Sequence, residues 1–389
     1  MHAVSIAAGI VAMLGSALPA TGQTVTDVSA RLAATLQDFH TSYGFPAATA
    51  SIALPDGRIV TAATGLADIE TGRTMTPETP MLAASVGKTF VAATILALES
   101  EGRLSRSDLL AEHLGNRAWF DRLPNAESIA IDHLLHHTAG LPDHVHLPAF
   151  QAAWAQMMQG NRVNGPEDLV GFIAGLQPLT DAGSAWAYSD TRYILLGLVI
   201  EQVTSQRYHD GLRARFLDPL ALTGTFASDR PDLSGLAVGY VAPDNPFGLP
   251  ERTADTKGRL LWDPAVEWTG GGPASTAPDL ARWGHLLFGG AAMTQQYLDR
   301  LLDAVQVAPK DRDTLYGAGV AIQTTIRDGR IYGHGGWVPG YVSSLRHYED
   351  HGIAITFQIN TDAGLRDGTS DLVPTREASL ADLVIGSVR

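Results

Sequence analysis

A serine and a lysine three residues apart, Ser85 and Lys88, stand in the stretch Met81-Leu-Ala-Ala-Ser-Val-Gly-Lys-Thr-Phe-Val-Ala-Ala-Thr-Ile95, which holds no other charge. Only three lysines occur in 389 residues (Lys88, Lys257 and Lys310), so one inside an apolar run is informative. An ammonium in such surroundings costs free energy unless it is paired or reaches water. The run predicts a helix from about Ser85 to near Gly102, on which positions i and i+3 share a face and the two side chains can meet. Desolvation lowers an amine's pKa, and a neutral amine beside a hydroxyl can take its proton and leave a nucleophile. The helix N-terminus also sets backbone N–H groups around Ser85, where an oxyanion can be held. The bland alternative is a capping serine and a lysine that snorkels to water.

Two further stretches carry groups that such chemistry needs. In Tyr188-Ser189-Asp190, Tyr188 precedes a buried helical run, and a phenol near an ammonium can relay protons to and from a leaving group. An isolated tyrosine at a helix start would otherwise be read as packing. In His334-Gly335-Gly336-Trp337, two small residues on a strand let a substrate backbone lie against it. His334 can then offer a donor to a substrate carbonyl or carboxylate, and the Trp337 N–H can complete an oxyanion hole with that of Ser85. The plain reading of the same stretch is a turn and a surface histidine.

The elements that must position these residues come from both chain ends. Val28, Leu32, Leu36 and Phe39 recur at helical spacing between Thr26 and His40, with Gly44 as a stop. Ala47–Leu54 and Arg58–Thr64 flank Pro55-Asp56-Gly57 and read as a hairpin. Gly317–Thr324, Arg330–His334, Tyr341–His347 and Ile353–Asn360 read as antiparallel strands, and Pro374–Val388 as a closing helix. The middle reads as helices joined by Pro- and Gly-rich loops. The expected fold is an α/β (α+β) antiparallel sheet flanked by helices, with a mainly helical lobe inserted. The sheet domain covers about 26–115 and 276–389, and the lobe about 116–275.

Composition narrows the partners. With 27 Lys and Arg against 41 Asp and Glu, the net charge of −14 repels phosphate backbones and sets nucleic-acid binding aside. No cysteine is present, which removes disulfides, thiol nucleophiles and thiolate metal sites. Residues 1–22 read as a secretory signal, an apolar core too short to span a membrane that ends in small residues, with cleavage after Ala20 or Gly22. Its departure is the n-region, where only the α-amino group and His2 stand in place of Lys or Arg. The mature chain is expected to be periplasmic or secreted, with no membrane span.

Ser85-x-x-Lys88, Tyr188-Ser189-Asp190 and His334-Gly335-Gly336 occur in the order and approximate spacing of three active-site motifs. The chain thereby resembles the penicillin-recognising serine hydrolases: class C β-lactamases, D-alanyl-D-alanine carboxypeptidases, D-aminopeptidases and related esterases. The segments His133–Asp143 and Thr269–Trp283 are similar to that group's flanking stretches, and the likeness runs from about residue 30 to the C-terminus. It implies a β-lactamase/transpeptidase-like fold. It also implies an acyl-enzyme on Ser85, with Lys88 and Tyr188 handling protons, and a small-molecule or short-peptide substrate with no cofactor. Either Lys88 or Tyr188 can be the base. Asp190, His334, Gly335, Gly336 and Trp337 are the expected substrate-binding residues.

Two departures narrow the substrate. Class C β-lactamases usually have Lys-Thr-Gly where this chain has His334-Gly335-Gly336, and a histidine near its pKa is a weaker, pH-dependent carboxylate partner. The His form resembles the carboxypeptidase, aminopeptidase and esterase branches. The group's Tyr-x-Asn reads Tyr188-Ser189-Asp190 here, and an ionised Asp190 only accepts hydrogen bonds. If Asp190 faces Lys88, its charge favours the ammonium and moves the base role toward Tyr188; if it faces the cleft, it favours substrates with an amine or amide N–H.

Rival functions are a metal hydrolase and a binder without turnover. His133, His136, His137, His144 and His146 crowd together with Asp132 and Asp143, and His133 and His137 have a workable zinc spacing. Neither a His-Glu-x-x-His nor a His-x-His-x-Asp-His run is present, so no metal is expected. A receptor that acylates and stalls would keep the same three motifs; all three being chemically competent favours turnover.

Overall fold

Pro55-Asp56-Gly57 reverses the chain because Gly57 takes φ +82°, while the Asp56 carboxylate accepts from the Arg58 N–H at 3.1 Å. This joins strand β1 (Ala47–Ala53) to β2 (Ile59–Asp68). The computed structural model describes residues 25–157, 165–243, 245–294, 296–363 and 372–385. The segment read as an export signal, 1–22, lies outside the described residues. Among the described residues, no helix is long and apolar enough to cross a membrane.

The other strands are β3 (Arg73–Thr74), β4 (Met81–Leu82), β5 (Ala274–Ser275), β6 (Val305–Ala308), β7 (Asp311–Tyr316), β8 (Ala321–Thr325), β9 (Gly329–Val338), β10 (Tyr341–Tyr348) and β11 (Ile353–Ile359). Nine of the eleven strands among the described residues form one antiparallel sheet in the order β3-β2-β1-β11-β10-β9-β8-β7-β6. The N-terminal hairpin joins the C-terminal strands through β1 and β11, where Ser51 faces Thr356. β6 and β7 are additions to the strands expected from sequence. Val305–Ala308 is only four residues long and half-exposed at the sheet's edge, and Asp311–Tyr316, next to it, is largely polar, so neither carries a strong strand pattern.

Both faces of the sheet are covered. Helix α1 (Val25–Tyr43) lays Val28, Leu32, Leu36 and Phe39 on one side, with Leu380 and Ala381 of the Leu372–Val384 helix, against Ala48, Ala50, Ile52, Ile355 and Phe357. Burying side chains of this size contributes about 1.5–3 kcal/mol each. On the other face lie α2 (Lys88–Ser100), buried almost all round, and the Ala277–Phe288 helix. The latter is capped by Thr276, whose hydroxyl accepts from the Asp279 N–H.

β4 and β5 form a separate two-stranded pair that delivers the chain to Ser85. Here the structure differs from the sequence reading. The α-helix starts at Lys88, and Ser85 sits before it in a 3₁₀ turn, Ala84–Gly87. That turn packs directly on β9, and three glycines permit it. A Cβ on Gly336 would lie 2.4 Å from the Ala83 carbonyl oxygen, and one on Gly87 would lie 2.3 Å from Gly272 Cα. Ala84, just before the nucleophile candidate, is held at φ +49°, a conformation that persists only where its surroundings impose it. The Ser343 hydroxyl donates to the Ala83 carbonyl at 2.6 Å and is one such restraint.

Candidate active site

In a 3₁₀ turn, residues i and i+3 eclipse. Ser85 and Lys88 therefore still meet, with the Lys88 ammonium donating to Ser85 Oγ at 2.9 Å. Tyr188 comes from the loop before the Asp190–Thr204 helix, and its hydroxyl donates to the same Oγ, also at 2.9 Å. Two side chains, from distant parts of the chain, thus converge on the oxygen of a third.

Lys88 is fully buried, and its ammonium has three acceptors: Ser85 Oγ, the Asp190 carboxylate and the Gly270 carbonyl. Three protons on three acceptors leave no lone pair, so Lys88 is an ammonium in this arrangement. Burial alone would lower its pKa; the charge and hydrogen bond of Asp190, together with Tyr188, outweigh that and hold it above the ordinary lysine value. The Tyr188 phenol is pushed up to about 12 by burial, with Asp190 adding to the effect and Lys88 opposing it.

Asp190 is the first residue of its helix, and its N–H donates to Asp143 Oδ1 at 3.1 Å. Burial and the Asp190 charge raise Asp143 to about 7. Glu267, just before the short Trp268–Gly271 helix, is raised to about 8 by burial and by the charges of Asp190 and Asp143. One lysine thus serves a neighbourhood of three carboxyl groups. The Gly270 carbonyl reaches Lys88 because the short Trp268–Gly271 helix packs closely there: a Cβ on Gly270 would touch Asp190 Cβ at 3.4 Å.

The third motif is placed on β9 beside the nucleophile turn, but its side chains are engaged within the protein. His334 is 6% exposed; its Nε2 meets the Tyr316 hydroxyl at 2.9 Å and its Nδ1 meets the Gly335 carbonyl. Burial, with Lys88 nearby, lowers its pKa to about 3, so it is neutral rather than poised near its titration point. Gly336 gives its open face to Ala83, Ala84 and Ser343, so the nucleophile turn fills the space read from sequence as room for a substrate. The Trp337 indole donates to Asp362 at 2.9 Å.

The histidines weighed as metal ligands have separate partners. His133 Nδ1 accepts from the Ala130 N–H, His136 bridges the Asp132 and Asp303 carbonyls, His144 meets the Thr191 hydroxyl, and His146 is exposed. Among the described residues, no three His, Asp or Glu side chains converge as a metal site requires. Tyr316, Glu267 and the Gly270 carbonyl were not singled out in the sequence. Only their folded surroundings bring them to the site.

The sequence model of the Beta-lactamase family matches residues 32–379. Penicillin-binding protein 4* of Bacillus subtilis (strain 168) is 26% identical over 280 residues, which is 70% of this chain and 58% of that protein. The chain therefore spans less than two thirds of that relative. Among solved structures, the D-stereospecific amidohydrolase from Streptomyces sp. superposes with a TM-score of 0.75 at 22% identity, covering 94% of this chain and 99% of that one. The D-amino acid amidase from Ochrobactrum anthropi SV3, complexed with L-phenylalanine, gives 0.77 at 22% identity, covering 93% and 100%. At such identities the likeness is one of fold.

Proposed function

The chain belongs to the β-lactamase family, and on that premise we propose that it is a serine hydrolase acting through an acyl-enzyme on Ser85. The observation that carries this reading is the shared oxygen: Ser85 Oγ accepts from both Lys88 and Tyr188 at 2.9 Å. The Lys88 ammonium can remain a donor to that oxygen as its proton leaves, and Tyr188, once its own proton has passed to solvent, is in place to accept it.

The base follows from relative cost. Deprotonating a phenol held near 12 costs about 7 kcal/mol at pH 7. That fits beneath the barrier of about 13–17 kcal/mol that a turnover of about 1–10³ s⁻¹ implies. Lys88 is costlier, since all three of its protons are committed and Asp190 holds its charge. Tyr188 phenolate accordingly takes the Ser85 proton as Oγ bonds to the substrate carbonyl carbon, and the carbonyl π pair moves to its oxygen. The Ser85 and Trp337 N–H groups serve as oxyanion donors. Tyr188 returns the proton to the departing nitrogen or oxygen, and water then cleaves the ester by the reverse sequence.

The substrate class is a small amide, D-amino-acid peptide or short ester. The acylation chemistry supports this, as do the structural neighbours, two of which are named for D-stereospecific amide hydrolysis. A neutral, engaged His334 supplies no fixed cation for a β-lactam carboxylate, so penicillin turnover is slow. The apolar N-terminal segment supports export to a periplasm or beyond.

Intact-mass analysis with a fluorophosphonate tests the nucleophile. One adduct on the wild type and none on Ser85→Ala is expected; an adduct on another side chain overturns the reading. D-amino-acid amides, D-peptides, p-nitrophenyl esters and benzylpenicillin then rank the substrates.

A further inference from the structure

Behind Tyr188 runs a buried chain of three rings that the acyl-transfer steps do not use. The Ser189 N–H lies 3.3 Å from His137 Nδ1, His137 Nε2 lies 3.1 Å from the Tyr316 hydroxyl, and that hydroxyl lies 2.9 Å from His334 Nε2. His334 Nδ1 meets the Gly335 carbonyl. The two ends fix every proton between them. A backbone N–H can only donate, so His137 Nδ1 accepts and its hydrogen is on Nε2. A carbonyl can only accept, so the His334 hydrogen is on Nδ1 and its Nε2 takes the proton of Tyr316.

We propose that His137, Tyr316 and His334 are positioning residues: a one-way hydrogen-bond relay that braces the Tyr188 ring against Ser85 and keeps the His334 imidazole uncharged. This rests on the serine-hydrolase reading for its effect on turnover, but not for the proton pattern. The His137 ring lies 4.3 Å, centroid to centroid, from that of Tyr188, and the Tyr188 N-terminal neighbour Ala187 donates its N–H to the His137 carbonyl at 2.9 Å. His137 is itself held at φ +56°, with its carbonyl also accepting from Arg192 at 2.7 Å.

The relay resists protonation by its geometry. A cationic His334 would present Nε2–H to a hydroxyl that already receives Nε2–H from His137, and Tyr316 would lose its own acceptor. The groups facing His334 divide in sign: Lys88 on α2 and Arg346 on β10 oppose its protonation, and Asp190 favours it. Facing His137 are Arg192, Lys88, His334 and His136, all opposing protonation. Tyr316 also faces Tyr193, whose own proton is committed to the Leu135 carbonyl at 2.9 Å. Lying on β7, Tyr316 ties the second strand from the sheet's edge to the motif on β9 and to His137.

Long-range ¹H–¹⁵N spectra of the histidine rings in the full wild-type chain test the proton pattern, with His137→Gln and His334→Gln used for assignment. The expected result is the Nδ1–H form for His334 and the Nε2–H form for His137, unchanged from pH 5.5 to 8. An Nε2–H form or a titration of His334 in that range overturns the proposal, whatever the enzyme's activity. For Tyr316→Phe, kcat/KM on the best substrate should fall about tenfold, with KM little altered. In that variant His334 Nε2 loses its hydrogen-bond donor, so its ¹⁵N resonance should shift while burial keeps the ring neutral. A wild-type rate and an unshifted His334 Nε2 resonance in that variant would also overturn it. If Ser85 fails to label while the tautomers appear as described, the relay stands and the hydrolase reading falls.

Discussion

Lys88 and Asp190, each the first residue of its helix and 102 residues apart in sequence, meet as an ion pair beside Ser85. Where the resembled motif has an asparagine, this chain has put a full negative charge on its lysine. On the proposed mechanism this divides the labour: the ammonium is a fixed donor and proton traffic moves to the phenol.

Asp190→Asn should reverse that division. Without the charge that raises it, Lys88 answers to burial, which lowers its pKa and frees a lone pair at lower pH. Wild-type kcat/KM should rise with pH across 6–10, since Tyr188 is held near 12. The variant should show an inflection below the ordinary lysine value of about 10.4. Superimposable profiles would dismiss Asp190 as the group that sets the base.

Ser85→Ala removes one acceptor from Lys88 but leaves Asp190 and Gly270 in place. Turnover should drop by about 10³–10⁶-fold, while thermal unfolding stays within about 1 kcal/mol of wild type. A variant that keeps more than a few per cent of wild-type activity would mean that another nucleophile is at work.

Much of this was readable in the linear chain, for local reasons. Pro55-Asp56-Gly57 encodes its own turn, and Val28, Leu32, Leu36 and Phe39 encode the buried stripe of α1. The Ser85–Lys88 spacing was legible because both α and 3₁₀ geometry bring i and i+3 together, yet it did not distinguish them. The strain at Ala84 comes from packing on Gly336, about 250 residues away, which no local pattern reports. His334 was read as a substrate donor because nothing near it names Tyr316 as its partner. Asp143 was weighed as a metal ligand, since an acidic residue among histidines invites that. Glu267 carries no signal at all until folding sets it near Asp190.

Glu267 should also govern how stability depends on pH. Its folded pKa of about 8 lies above the ordinary 4.5, so the fold prefers the protonated carboxyl. That contribution is fully present below about 4.5 and is lost as pH rises through about 8. Glu267→Gln should therefore be neutral at pH 4.5 and stabilise by about 1–3 kcal/mol at pH 8.5, read from melting curves at both values. Equal melting temperatures at pH 8.5 would show that the carboxyl ionises freely in the fold.

Gly335 and Gly336 make a paired test of how the nucleophile is seated. A Cβ on Gly336 would lie 2.3 Å from Ser343 Oγ, 2.4 Å from the Ala83 carbonyl oxygen and 3.1 Å from Ala84 Cβ. It would displace the Ser343 bond to Ala83 and lift the turn that carries Ser85. A Cβ on Gly335 would meet only Arg346 Nη2, at 3.9 Å. Gly336→Ala should therefore lower kcat/KM about 10²-fold through misplacement of Ser85, and lower stability by about 1–3 kcal/mol. Gly335→Ala should change kcat/KM by no more than about threefold, because the added methyl meets no overpacked neighbour. If both residues serve instead as open floor for a substrate strand, the two alanine variants would lose activity alike and neither would melt early. The split between them therefore decides whether the glycines exist for the substrate or for the turn.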